Sequence, residues 1–248
     1  MSLEIPYVKS DSGPRSEETV ILCNLPTHPY NRHSRVTKMS DTQRMYAAVA
    51  GAFRSERLVY RAFQDNEEDR SFAYNQLASD ALTRGLADPS VHRPTSRQMQ
   101  DGYIDSMLKT TVMYNLICLP EKDPRTGKEK LTPIGIMNVK DLPQYQRRAI
   151  FGVSIMPAYQ SQGYGSEAVG WIMDWVFKWG GYHSLTLGAS MYNERAVRAY
   201  KKAGFKLEGV SRETIYRDRK WWDSIQMSIL EHEWEALRGI KTVKDAAA

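Results

Sequence analysis

The chain has 248 residues, 42% of them hydrophobic and 25% charged, with a formal net charge of +5. This is the composition of a globular protein with a core of its own, and it argues against a collagen-like, disordered or membrane-spanning chain. The basic excess is interspersed with acids, so it marks no nucleic-acid binder by itself and suits an anionic cofactor equally well.

Cys23 and Cys118 are the two cysteines, and their spacing fits neither a metal site nor a redox pair. No apolar run reaches the roughly 18 residues of a membrane span. The segment 1–18 lacks the basic start and apolar centre of a secretory signal. The expected location is therefore the cytoplasm, with the nucleus also open. No metal, membrane or nucleic-acid partner is expected.

In chain order, residues 1–19 are polar, and Thr19–Cys23 reads as a short edge strand. Asp41 opens a helix to about Phe53, with Met45, Val49 and Ala52 on one face. Arg57–Phe63 alternates as a first strand. Asp65–Asp69 carries four acids in five residues. They read as the first turn of a helix, favoured by its dipole, or as a cation-attracting rim for an amine. Helices are predicted over 72–86 and 98–109. Strands are predicted over 111–119 and 134–139, paired as a hairpin, and over 148–156.

The next stretch, Phe151 to Ala168, is a strand, a glycine-bearing turn and the start of an amphipathic helix. That order makes an anion site, because converging turn amides meet the unpaired donors of a helix N-terminus. The helix, to about Trp179, places Ala168, Trp171, Ile172, Trp175, Val176 and Trp179 on one face. A strand over 183–189 and a helix over 193–202 follow. Strands over 206–210, 213–216 and 222–230 come next, then fraying from Glu233 and a tail from Lys241. The class is α/β (α+β).

Three phosphate sites compete for Gln160–Ala168. A P-loop needs a lysine after its glycines, and none is present. Gly163-Tyr164-Gly165-Ser166-Glu167-Ala168 fits G-x-G-x-x-A, but it comes late in the chain and lacks the ribose-binding acid about twenty residues on. The third reading begins at Gln160. Gln160-x-x-Gly163-x-Gly165, Arg147-Arg148-Ala149 before it, and Asn193-x-x-Ala196-x-x-x-Tyr200-x-x-x-Gly204-Phe205 after it share order and spacing with one family. Together with Arg57–Arg61 and Trp222–Glu231, they resemble the GCN5-related N-acetyltransferase (GNAT) superfamily. Within it they resemble the branch that contains ribosomal-protein N-terminal acetyltransferases and spermidine acetyltransferase.

The resemblance implies a GNAT domain over 54–236, an N-terminal extension over 1–53 and a flexible tail over 237–248. The implied sheet is mixed, with about six to seven strands splayed at the cofactor site and helices flanking it. It implies acetyl-CoA as co-substrate, with the pyrophosphate on the turn of Gln160, Ser161, Gln162, Gly163, Tyr164, Gly165 and Ser166. The pantetheine arm would pair along Val153, Ser154 and Ile155 and meet Asn193. It also implies Tyr200 as the acid that protonates the leaving thiolate, and a primary amine, small or peptidic, as acceptor. Glu67, Glu68 and Glu213 are candidate acceptor contacts. The spermidine-type enzymes carry a glutamate where Ile150 stands here. A base would have to come from Glu213, Asp223, the Asp65–Asp69 rim or water. A non-catalytic acyl-CoA-binding module is the alternative function. The extension either covers the cavity or makes a dimer contact, so a homodimer is an open option.

Overall fold

The computed structural model describes residues 39–240. The strand expected at Thr19–Cys23 and the tail expected from Lys241 lie outside the described residues. The chain divides into two units, Met1–Ser40 and Asp41–Ala248, and the second carries the sheet.

Seven strands form one mixed sheet: β1 (Val59–Ala62), β2 (Met113–Lys122), β3 (Glu129–Asp141), β4 (Arg148–Ile155), β5 (Ser184–Ser190), β6 (Lys206–Arg217) and β7 (Lys220–Leu230). Their spatial order is β1-β2-β3-β4-β5-β7-β6. Neighbours are antiparallel except β4 and β5, which run parallel. The period-2 alternation serves two cores. Leu58, Tyr60, Met113 and Ile117 join one cluster, and Val59, Tyr114, Leu116 and Cys118 join the other.

The first face is covered by α5 (Tyr164–Lys178), which buries Ala168, Val169, Ile172, Met173 and Val176 at helical spacing. The apolar face expected to reach Trp179 ends sooner. Trp179 is the C-cap and is 42% exposed, and Phe177 fills the core in its place. The other face is covered by α2 (Glu67–Phe72), a π-helical turn (Ala73–Ala78), α3 (Ala81–Ala87) and α4 (Arg97–Thr110). One helix was expected over 72–86. It is split because Asp80 takes an extended conformation and caps α3, its Oδ2 accepting from the Thr83 amide at 2.6 Å. Asp65–Asp69 does fall at a helix start, with Glu67, Glu68 and Asp69 in the first turn of α2.

α1 (Asp41–Ala50) ends short of Phe53 and buries none of its residues. Two strands expected at 206–210 and 213–216 are one strand, β6. Its register against β7 shifts between Ser211 and Ile215, and Glu213 takes φ 52° in that irregularity. Asp218 and Arg219, both at positive φ, make the tight turn into β7.

The fraying expected from Glu233 is overturned by α7 (Glu231–Leu237). Trp234 is 4% exposed, stacks on Phe177 with ring centroids 5.3 Å apart, and donates from Nε1 to Asp174 Oδ1 at 2.8 Å. A single buried tryptophan anchors a short helix that propensity alone would not hold. Trp234→Ala is expected to lower unfolding stability by about 3–5 kcal/mol, read as a fall in the urea midpoint. An unchanged midpoint would return this segment to a frayed end.

Candidate active site

β4 and β5 pair only over Arg148–Ile150 and Ser184–Thr186. Beyond that, β4 stays on β3 as far as Ile155 and β5 stays on β7 as far as Ser190. The two parallel strands therefore part, leaving a wedge between Phe151–Ile155 and Leu187–Ser190. Backbone groups along such a wedge need a partner from water or from an extended ligand.

At the wide end of the wedge lies the turn. Ser161 and Gly163 take φ 62° and 88°. This left-handed geometry lets successive amides face one way. Among the described residues, the backbone N–H groups of Ser161 through Ser166 have no hydrogen-bond partner, whereas Gln160 N and Glu167 N donate to Pro157 O and Gly163 O. Six consecutive unclaimed donors at the positive end of a 15-residue helix form an anion cradle. A Cβ on Gly165 would meet nothing closer than Ile155 Cγ1 at 3.8 Å, so the backbone is open to a close approach. The donor set fits a pyrophosphate.

Four side chains hold the turn in place: Gln160, expected at the cofactor site, and Arg57, Glu167 and Arg195, to which the sequence assigns no such role. Gln160 donates from Nε2 to Ile155 O at 2.8 Å, and its Oε1 accepts from Arg195 Nη2 at 2.7 Å. Arg57 donates from Nε to Glu167 Oε2 at 2.7 Å and from Nη1 to Gln162 O at 3.2 Å, with its guanidinium 4.5 Å from the Tyr164 ring centroid. Glu167 Oε1 accepts from Ser55 Oγ and from the Arg57 amide, each at 2.7 Å. Arg195 was one of the unspecified positions in the Asn193 frame. Arg57 and Glu167 are 110 residues apart, and nothing in either local pattern pairs them.

Burial pushes the Glu167 carboxyl up, but hydrogen bonds from Arg57 and Ser55 and the Arg57 charge outweigh it and hold the group below the usual range. A depressed folded pKa contributes stability above the ordinary carboxylate pKa and loses it as pH falls through the folded value. Wild type is expected to melt above Glu167→Gln by a constant margin from pH 6 to 8, and the margin should shrink below about pH 4. A margin independent of pH would remove Glu167 from this role.

The wedge opens into a cleft of about 780 Å³. Of the expected cofactor residues, Val153, Ser154, Ile155, Gln160, Ser161, Gly163, Gly165, Ser166 and Asn193 line it, and so does Tyr200. Gln162 and Tyr164 do not; Gln162 is exposed, and Tyr164 packs against the core beside Arg57 and Tyr159. Asn193 caps α6 (Glu194–Lys202), its Oδ1 accepting from Ala196 N at 3.3 Å, while its Nδ2 donates to Leu86 O at 3.4 Å. It thereby ties the far wall to α6. Tyr200, one face of α6 further on, packs edge-on to Phe151 and Phe205, each with ring centroids 6.0 Å away. Burial pushes its phenol up to about 12, so the hydroxyl is protonated at neutral pH. Among the described residues that hydroxyl has no hydrogen-bond partner.

The proposed acceptor contacts lie elsewhere. Glu67 accepts from Arg97 Nη2 at 3.0 Å and from Ser71 Oγ at 2.6 Å, and neither it nor Glu68 lines the cleft. Asp69 is 1% exposed and is held by both Arg61 guanidinium nitrogens at 2.7 and 2.8 Å. Asp65 is paired with Arg70. Glu213 and Asp223 share a separate surface recess with Arg212, where Asp223 Oδ1 accepts the Glu213 amide at 2.9 Å. Ile150 is 37% exposed and lines no part of the cleft.

The model of the acetyltransferase (GNAT) family matches residues 98–205. The uncharacterized N-acetyltransferase YoaA of Bacillus subtilis (strain 168) is 30% identical over 180 residues, 71% of this chain and 95% of that protein. The spermidine N(1)-acetyltransferase of Escherichia coli (strain K12) is 29% identical over 102 residues, 41% of this chain and 55% of that one. The chain spans about half the length of the first curated relatives it matches. A crystal structure of spermidine N-acetyltransferase from Vibrio cholerae, in complex with CoA and spermine, superposes with a TM-score of 0.59 at 20% identity, over 73% of this chain and 99% of that one. The chain belongs to the GNAT family of acetyltransferases, and its open seven-stranded sheet has that family's fold. No helix of the described residues is long and apolar enough to cross a membrane. Among the described residues no group of three or more His, Cys, Asp or Glu side chains stands ready for a metal.

Proposed function

We propose that the protein is an acetyl-CoA-dependent N-acetyltransferase that moves an acetyl group to a primary amine by direct attack on the thioester. The observation that carries this is the continuity of one cleft. An anion cradle of unclaimed amides, a wedge between parting parallel strands and a protonated, unpartnered tyrosine follow one another along it. Acetyl-CoA supplies an activated acetyl thioester. The amides of Ser161–Ser166 hold its pyrophosphate, and the free edge of β4 at Val153–Ile155 aligns the pantetheine arm as an added strand. Tyr200 gives its proton to the departing sulfur.

Among the described residues Asp88 is the one carboxylate lining the cleft, and it is bound by Arg84 at 2.9 Å. The amine therefore loses its proton to water in the cleft. We assign the transferase domain to 54–236 and read the protein as cytoplasmic.

Release of free thiol from acetyl-CoA in the presence of primary amines tests the reading, with acylated amine confirmed by mass. Tight binding of CoA with no transfer to any amine would favour a non-catalytic module of the same fold.

A further inference from the structure

The cleft does not end at Tyr200. Past the wedge it continues into a lobe walled by the π-helical turn, α3, α4 and the inner residues of β2 and β3. Among the described residues its charged lining is one pair, Arg84 with Asp88, which cancels. Acids on and just before α2 and those of α4 are turned to other work: Asp69 to Arg61, Asp65 and Asp105 to Arg70, and Glu67 and Asp101 to Arg97. A wall that must hold a di- or trication needs unpaired carboxylates, because a desolvated ammonium group without one is costly. This lobe offers none.

It offers rings, short aliphatic side chains, the hydroxyls of Thr83 and Thr95, and the neutral amides of Asn138 and Gln100. Leu77, Met99 and the rings of Tyr103 and Tyr114 line it. Gln100 lines it as well. Gln100 is 7% exposed, and among the described residues its side-chain amide has no hydrogen-bond partner. A buried amide with free donor and acceptor positions is met by water or by a ligand group of matching polarity. The wall behind it is fixed: Tyr192 Oη donates to Gly85 O at 2.6 Å, and Arg217 Nη2 donates to Asp88 O and Ser90 O at 2.8 and 2.7 Å. The lobe is thus a built surface on the main sheet.

We propose that the acceptor is a monoamine with an uncharged, largely apolar body and one carbonyl, amide or hydroxyl group that pairs with Gln100, and that polyamines are poor acceptors. This rests on the transferase reading and narrows it.

The test compares three acceptors by thiol release: phenylalaninamide, phenylethylamine and spermidine. Phenylalaninamide is expected to exceed spermidine in kcat/KM by at least tenfold and phenylethylamine by less. Gln100→Leu should remove most of the advantage of the amide over phenylethylamine, with the KM for acetyl-CoA unchanged. Gln100→Glu should raise kcat/KM for spermidine and lower it for the neutral acceptors, a reversal that a merely structural residue would not produce. Spermidine as the preferred acceptor of the wild type, or an order of acceptors unmoved by both variants, would overturn the proposal. Binding of the same amines to the CoA-loaded protein, by calorimetry, separates the two claims. If nothing is turned over but phenylalaninamide binds and spermidine does not, the transferase reading falls and the lobe assignment stands.

Discussion

Tyr200→Phe is expected to lower kcat by roughly 100-fold or more while leaving the dissociation constant for acetyl-CoA within about a factor of two. The ring packs against Phe151 and Phe205, and phenylalanine keeps that packing, so the change removes little besides the hydroxyl. The proton donor is lost at the step where the thiolate leaves, and water in a half-closed cleft replaces it poorly. The pH profile sharpens the prediction. Because burial pushes the phenol up to about 12, ionisation of Tyr200 produces no fall in rate below about pH 10. With Asp88 tied to Arg84, the acidic limb belongs to the substrate amine. kcat/KM should climb about tenfold per pH unit up to the amine's own pKa. An enzyme group titrating between pH 6 and 8, seen with several amines of different basicity, would mean that a base has been overlooked. Unchanged turnover in Tyr200→Phe would remove the acid.

Gly163→Val is expected to raise the KM for acetyl-CoA by about ten- to a hundredfold, with kcat at saturation much less affected. Gly163 sits at φ 88°, and a Cβ there would lie 3.2 Å from Arg57 Nη2. A branched residue is strained by about 1–3 kcal/mol in that backbone region, and each 1.4 kcal/mol of lost affinity is a factor of ten. It also displaces the guanidinium that bonds Gln162 O and Glu167, so the amides lose their common direction. Thermal melting of the apo protein separates this from unfolding, since the turn is a surface feature. A variant that binds acetyl-CoA as tightly as wild type would show that the turn amides are not the anchor.

Much of the fold was legible because its signals are local. The hairpin of β2 and β3 shows as two apolar runs around a charged turn, and α5 shows as a helical stripe ended by Gly180 and Gly181. The turn was legible because backbone chemistry needs glycine at fixed offsets, whereas Asn193 and Tyr200 entered through the family resemblance; both line the cleft. What could not be read was set by contacts between distant segments. Trp234 holds α7 only because Asp174 and Phe177 are there to receive it. Asp80 broke a helix by local capping that a smooth apolar pattern concealed. The acids of Asp65–Asp69 look like a cation rim until Arg61, Arg70 and Arg97 are brought to them. Gln100, one polar residue in an ordinary amphipathic helix, has no sequence signal. Its interest comes from the cavity in front of it.

A crystal structure with CoA bound tests the acetyl-CoA site most directly. The pyrophosphate is expected on the amides of Ser161–Ser166, the pantetheine arm bonded to β4 along Val153–Ile155 in the wedge beside β5, and the sulfur within hydrogen-bond reach of Tyr200 Oη. CoA held away from the wedge, or a thiol far from Tyr200 with the turn amides unoccupied, would contradict it.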